Sequence, residues 1–368
     1  VSRRLLYVVS HPIQYQAPLL RLIAAQDDIA LKVLFERIPE GPSYDPGFAR
    51  PVGWDVPLLR GYEHNLMTET DISGAIAESD VIWLHGWQSR RFRQILDLAA
   101  RLNKPVLMRA ENWDGAMPDG IGPRGWAKRL YLRRIFARCA GFLAIGSKNH
   151  DYYVRHGIVP ERIFPVPYAV DNAFFEPAAM AKQADRVRAA TDMGLDPHRP
   201  IVLFAAKLIA RKRLDLLIRA MTKLPASVQL LVVGDGPLRA EMQALAPGAR
   251  FVGFRNQTEL PAIYALADVF VLPSDAEPWG LAINEAMASG TAIVASDQVG
   301  AAFDLVDETC GRVFAAGDAD ALAKALLEVL KHPIDMGAAA RRRIAKWDFQ
   351  ADLRGLRAAM GAVTQAFP

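Results

Sequence analysis

Cysteine is scarce. Cys139 and Cys310 stand far apart, with no C-x-x-C pair and no histidine at a metal-ligand spacing. That usage suits a reducing compartment and supplies no metal site; both read as ordinary buried thiols. Long apolar runs are missing too. None approaches the roughly 18 residues that a membrane-spanning helix needs. The run Leu5 to Val9, behind a basic start, is too short for the core of a signal peptide and reads as a buried first strand. Neither sign of charge dominates. A net charge of +4 is too mild to call for nucleic acid as a partner. No repeat and no low-complexity tract interrupts the chain. What remains is 51% apolar and 23% charged, the balance of a globular protein, over 368 residues. That length exceeds what one hydrophobic core usually supports, so two domains are expected.

Short apolar runs recur between amphipathic segments: Leu5 to Val9, Leu31 to Phe35, Val81 to Leu84, Val106 to Met108 and Gly141 to Ile145. Apolarity without alternation predicts strands covered on both faces, as in a parallel sheet wound by helices. The pattern repeats at Ile201 to Ala205, Gln229 to Val233, Arg250 to Val252, Val269 to Leu272 and Ala292 to Ala295. The expected fold class is therefore α/β, with two doubly wound Rossmann-like domains. The polar, helix-forming stretch between Asp171 and Pro200 places their join near residue 172. The expected ranges are 1–171, 172–346 and a last helix, 347–368, with Phe349, Leu353, Leu356 and Met360 at helical spacing.

The most informative stretch is Glu277-Pro-Trp279-Gly280-Leu281-Ala-Ile-Asn-Glu285-Ala-Met-Ala-Ser-Gly290. It follows an apolar run and a turn, then enters a helix that Gly290 can end. Glu277 thus falls in the loop at a strand's carboxyl end, and Glu285 about a turn and a half into the next helix. Open α/β sheets bind ligands there. Two such carboxylates can accept from several hydroxyls, and Gly280 lets the amides of the helix start approach a diphosphate. Taken alone, Pro278 and Gly280 also fit a plain turn, and Glu285 a solvated helix face.

The E-x7-E spacing inside E-P-W-G-L-x-x-x-E-A-M-A-S-G resembles the signature of glycosyltransferase family 4. Ala206-Lys207-Leu208 with Lys212 is similar to that family's G-R-L…K-G segment, Val232-Val-Gly234-Asp-Gly236-Pro to its V-G-x-G-P turn, and Phe251-Val-Gly-Phe254 to its V-x-F-x-G strand end. Val170-Asp171 resembles the close of its P-N-G-V-D motif. The likeness spans nearly the whole second half. It implies the GT-B fold, two Rossmann-like domains facing across a cleft, and a retaining, metal-independent hexosyl transfer from a UDP- or GDP-sugar.

On that resemblance Lys207 and Lys212 are the cations on the donor diphosphate, and fixed cations there stabilise a leaving group without a divalent metal. Glu277 contacts the donor sugar and Glu285 the ribose; Gly234, Gly236, Phe254, Arg255, Trp279, Gly280 and Leu281 complete the donor site. No cofactor or metal is implied. Asp318-Ala-Asp320 has a D-x-D spacing but reads as a helix N-cap. Arg213 departs from the family's glycine, and with Arg211 and Arg213 around Lys212 the two lysines also fit a solvated basic loop.

In the first half, His11, Gln14 and Tyr15 follow strand one, where many relatives carry a glycine-rich loop, and His85 and Trp87 follow another strand; all five are placed on the acceptor side. Where many relatives present a histidine to the donor sugar, this chain offers Glu111 or Arg109. Glu111 is the candidate for holding a sugar hydroxyl. Basic residues from Arg124 to Arg138 alternate with Trp126, Leu130 and Tyr131 over a helix, which suits either contact with an anionic membrane or a solvated face. The reading is a cytoplasmic enzyme, at the membrane's inner face if the acceptor is lipid-linked, that serves surface polysaccharide or glycoconjugate synthesis. An epimerase of the same fold, or a non-catalytic nucleotide-sugar-binding scaffold, are the alternatives.

Overall fold

Strands apolar on both faces need cover on both faces, and the computed structural model, which describes residues 2–366, shows how the chain supplies it. Val1, Phe367 and Pro368, at the ends of two expected domain ranges, lie outside the described residues. The chain groups into two units. The first holds residues up to Glu40, Pro57–Ala169 and everything from Phe349 on; the second holds Gly41–Val56 and Val170–Asp348.

The first 165 residues contain β1 (Arg3–Val9), β2 (Ile29–Phe35), β3 (Ser43–Asp45), β4 (Arg50–Val52), β5 (Glu63–Leu66), β6 (Val81–His85), β7 (Val106–Arg109), β8 (Gly141–Ala144) and β9 (Ile163–Pro165). All but the antiparallel hairpin β3–β4 form one parallel sheet, ordered β5-β2-β1-β6-β7-β8-β9. Alternate residues feed two cores. Leu6, Val8, Ile82, Leu84 and Met108 meet Leu96, Phe136 and Tyr153 from helices on one face. Leu5, Tyr7, Val9, Trp83 and Leu107 meet Leu20 and Ile23 on the other, with Leu356 and Met360 of the last helix, Phe349–Ala366. That two-sided burial is why these strands read as unbroken apolar runs.

The second sheet is built from β10 (Ile201–Ala205), β11 (Gln229–Val233), β12 (Arg250–Gly253), β13 (Val269–Leu272), β14 (Ala292–Ser296) and β15 (Gly311–Phe314), ordered β12-β11-β10-β13-β14-β15. The stretch between Asp171 and Pro200 is mostly one 21-residue helix, Asn172–Asp192, with Pro177 inside it. Its half-buried Lys182 donates to the carbonyls of Ala267 (2.8 Å) and Gly290 (3.1 Å), which follow the helices Leu260–Leu266 and Leu281–Ala288. Burial pulls the amine down to about 8, and the negative helix ends favour its charged form.

Both sheets share one topological feature. In the first the chain runs β1, β2, β5 to one side, then returns to place β6 on the other flank of β1. In the second it runs β10, β11, β12, then returns to place β13 beside β10. A crevice therefore opens beyond the carboxyl ends of β1 and β6, and another beyond β10 and β13, where a parallel sheet binds ligands.

Candidate functional site

Beyond β10 the chain passes Lys207 and enters a short 3-10 turn, Ala210–Lys212. Arg213 then adopts φ 52°, a left-handed conformation that costs a side-chain-bearing residue about 1 kcal/mol. This explains the glycine that the resemblance leads one to expect there. Here the strain is offset by the guanidinium, which takes Asp215 (3.0 and 3.1 Å) and Asp275 (2.8 and 2.9 Å) at once. Those pairs tie the Lys212 turn to the loop after β13.

Glu277 sits in that second loop, 9% exposed. Its backbone is clamped, N–H to the Gln298 carbonyl at 2.9 Å and carbonyl to the Gly300 amide at 3.1 Å. Its carboxylate accepts from the Lys212 ammonium and, at 3.3 Å, from Arg211. Gly280 turns the chain into the helix Leu281–Ala288 with φ 99°, where an added Cβ would press on Leu272 and Val299. The Ile283 amide turns back to the Gly280 carbonyl at 2.8 Å, and the amides of Leu281 and Ala282 open the helix, where an anion is favoured.

Glu285 lies one turn further along. It accepts from the Tyr264 hydroxyl at 2.8 Å. Burial raises its carboxyl to about 7, against the hydrogen bonds from Tyr264 and Gln257.

Gly234 and Gly236, beyond β11, allow two strand-end loops to touch. A Cβ on either would overlap the carbonyl of Ala206 or Leu208, the residues flanking Lys207. The glycines thereby set where Lys207 can stand. Phe254, beyond β12, is met by Phe48 (5.0 Å between ring centroids), Trp54 (6.2 Å) and the Arg50 guanidinium (5.1 Å) of the segment 41–56. Arg255 pairs with Glu259 at 2.9 Å.

Of the four charged residues expected to converge, Lys212 and Glu277 touch, Lys207 pairs with Asp45 (2.8 Å), and Glu285 bonds Tyr264. The Trp279 indole is turned inward, away from where a donor contact by the side chain was expected. It is 3% exposed, donates its indole N–H to Asn284 and stacks on Trp347 at 5.7 Å, so it holds the loop from within. Asp318 accepts from the amides of Asp320 and Ala321 as a helix cap, and Asp320 pairs with Lys223.

In the first unit, the crevice beyond β1 and β6 holds a polar cluster. His85 Nδ1 faces the Tyr7 hydroxyl (2.8 Å) and the Gln16 amide nitrogen (3.0 Å), and its Nε2 faces the Tyr168 hydroxyl (3.1 Å). An amide nitrogen only donates, so Nδ1 is the acceptor and Nε2 carries the proton. Tyr168 in turn donates to Glu111. Burial lowers the imidazole despite the pull of Glu111. For Glu111 burial acts upward, but the nearby His85 and the Tyr168 hydroxyl that donates to it outweigh burial and hold the carboxyl below its usual range. The result is an ionised Glu111 beside a neutral His85. Tyr15 joins the cluster through Tyr168 at 3.3 Å.

His11 bonds Ser10 at 2.8 Å, and burial lowers it. Gln14 makes no side-chain hydrogen bond among the described residues. Trp87 packs against Tyr131, ring centroids 5.8 Å apart, on the flank of the apolar core. Arg109, the alternative to Glu111, is 1% exposed and lies under the Tyr168 ring at 4.4 Å. Tyr7, Gln16, Tyr168 and Tyr264 had no signal in the sequence: single tyrosines and glutamines outside any spaced motif.

Two Rossmann-like α/β units with these strand orders define the GT-B fold. The solved structure of HepE from Anabaena in complex with UDP and glucose shares it, with a TM-score of 0.70 over 96% of this chain and 98% of that one, at 15% identity. Residues 199–332 match the family described as glycosyl transferases group 1. The sulfoquinovosyl transferase SQD2 of Arabidopsis thaliana is 33% identical over 199 residues, 51% of this chain and 38% of that protein. A GDP-mannose-dependent alpha-(1-6)-phosphatidylinositol monomannoside mannosyltransferase of Mycolicibacterium smegmatis is 34% identical over 214 residues, 53% and 54% of the two chains. The matches thus span about half or less of these relatives' lengths.

Proposed function

We propose that the protein transfers a hexose-type sugar, with retention, from a UDP- or GDP-sugar to a glycan, lipid-linked or small-molecule acceptor. One observation carries the reading: Lys212 and Glu277 meet at the crevice beyond β10 and β13, with Lys207 and Glu285 on the same two strand ends. Lys207, Lys212 and the amides at Gly280 and Leu281 hold the diphosphate, and Glu277 the sugar hydroxyls. Glu285 takes the ribose, and backbone near Phe254 and Arg255 the base. The bond from the anomeric carbon to the diphosphate breaks and the acceptor oxygen bonds the same face. A diphosphate oxygen takes the acceptor's proton. Fixed cations and positioning lower the barrier, and no metal ion is part of the reading. UDP and GDP are suggested by the named ligand or donor of two proteins that the chain resembles.

The first unit serves the acceptor. Glu111, an ionised acceptor-only group, takes a sugar hydroxyl there. The helix Gly122–Phe136 points the acceptor class toward lipid. Trp126 is 64% exposed and Ile121 just before it 96%, while Arg124, Arg129, Arg133 and Arg134 have no ion-pair partner among the described residues. Such a surface suits the anionic, cytoplasmic face of a membrane; no described helix is long and apolar enough to cross one. Vesicles rich in phosphatidylglycerol should co-sediment with the protein, and Trp126→Glu should abolish this; equal binding to neutral vesicles would reject the contact.

The donor reading is tested by calorimetry with UDP and GDP, then by transfer assays with the corresponding sugars. Glu285 adds a pH signature. Only its ionised form accepts from both ribose hydroxyls. With its carboxyl at about 7, affinity should fall below that pH, by up to about tenfold per unit. A flat profile from pH 5.5 to 8 would remove Glu285 from the ribose. Stability carries the opposite sign. The folded carboxyl holds its proton above the ordinary value of 4.5, so stability is lost as pH rises from there through 7. Glu285→Gln should therefore stabilise the protein at pH 8 by about 1–2 kcal/mol and not at pH 4.5, while weakening nucleotide binding.

A further inference from the structure

The hairpin segment 41–56 packs onto the same side chains that the donor reading uses, and this inference rests on that reading. Asp45 places both carboxylate oxygens on the Lys207 ammonium, at 2.8 and 3.0 Å. It is held in that pose by the amides of Gly47 (2.8 Å) and Phe48 (3.2 Å). Gly47 lies so close that an added Cβ would stand 2.6 Å from the Lys207 side chain. Phe48, Arg50 and Trp54 cover the ring of Phe254, where the base is expected. Arg50 also reaches Asp235, between the two loop glycines, at 3.9 Å. Asn256 donates to the Gly53 carbonyl at 2.8 Å, closing the segment's far end onto the loop after β12.

A carboxylate that grips a cation with two oxygens presents what one phosphate group presents: negative charge and paired acceptors at hydrogen-bond distance. We propose that the hairpin is a displaceable occupant of the donor site, with Asp45 standing on Lys207 in place of a diphosphate oxygen and Phe48, Arg50 and Trp54 standing over the base position. Donor binding then competes with a contact internal to the chain. The apparent affinity is reduced by the fraction of molecules in which the hairpin is seated. The contact is partly open to solvent, with about a third of each side chain exposed, so the handicap is modest and the ligand's larger charge overcomes it. Nucleosides without phosphate gain nothing from the release of Lys207.

The test uses the full chain and calorimetry with UDP, GDP and the bare nucleosides. Asp45→Asn keeps an oxygen for the two turn amides but removes the charge, and it should tighten UDP or GDP binding about fivefold and nucleoside binding by less. In a Lys207→Ala background the same change should have no effect, because the group competed for is gone. A gain of affinity cannot come from a misfolded variant. Unchanged or weaker diphosphate binding by Asp45→Asn, in a wild type that binds diphosphate through Lys207, overturns the hairpin's role alone. A wild type that binds neither UDP nor GDP overturns the donor site and the hairpin's role together.

Discussion

On the proposed function, Lys212→Ala should slow sugar transfer by about 10²–10³-fold at saturating donor, the loss seen when one preorganised group on developing charge is removed. The Lys212 side chain is only 12% exposed and its ammonium sits on Glu277, which Arg211 also touches. Water cannot replace it cheaply there. The charge it meets grows as the sugar leaves, so the effect falls on the rate constant more than on donor affinity. Lys212→Arg should recover little, since a planar fork does not reproduce the compact point charge that Lys212 places on Glu277. Single-turnover rates beside calorimetric affinities separate the two effects. A rate within threefold of wild type would remove Lys212 from the reacting diphosphate. Glu285→Gln should behave in the opposite way, losing affinity first, and the contrast between the two variants assigns charge stabilisation to one and binding to the other.

Strands buried on both faces were legible because their composition follows from their surroundings. β10, β11 and β13 run where their apolar residues do, and β1 and β2 only add polar or flanking residues at one end. Three of the four edge strands of the parallel sheets left no such trace. β5 is Glu-His-Asn-Leu and pairs only with β2, β9 is three residues ending in proline, and β15 is Gly-Arg-Val-Phe at the rim of its sheet. Missing β9 meant missing Tyr168, which follows it and joins His85 to Glu111. Within the donor site, spacing along one loop and helix placed Glu277, Gly280 and Glu285. It said nothing of which side chain would turn inward, as the Trp279 indole does between Asn284 and Trp347. Asp45 was out of reach for another reason: it acts on Lys207, 162 positions away in sequence, and only tertiary packing reveals that.

Asp352→Ala is expected to destabilise the first unit by about 3–5 kcal/mol, because it strands a guanidinium in the core. Arg109 and Asp352 are each 1% exposed, their charged atoms 3.6 Å apart, and Arg109 reaches besides only the carbonyls of Val166 and Pro167. Two of its nitrogens, and one oxygen of Asp352, have no hydrogen-bond partner among the described residues. Burial lifts the Asp352 carboxyl to about 6 against the attraction of Arg109. With the folded value above the ordinary 3.8, stability declines as pH rises through that interval. Arg109→Met removes the attraction, lifts the carboxyl further and extends the decline, so this variant should lie near wild type at pH 5 and well below it at pH 8. Chemical denaturation at both pH values checks this. The double variant Arg109→Met with Asp352→Leu should regain most of the loss, since an apolar pair often replaces a buried ion pair without penalty. Activity should not return with it. The guanidinium underlies the Tyr168 ring at 4.4 Å, and Tyr168 carries the hydroxyl that aims Glu111. A double variant that is stable and fully active would show that the pair only joins the last helix to β7; stable but slow would show that it also places the carboxylate of the first unit.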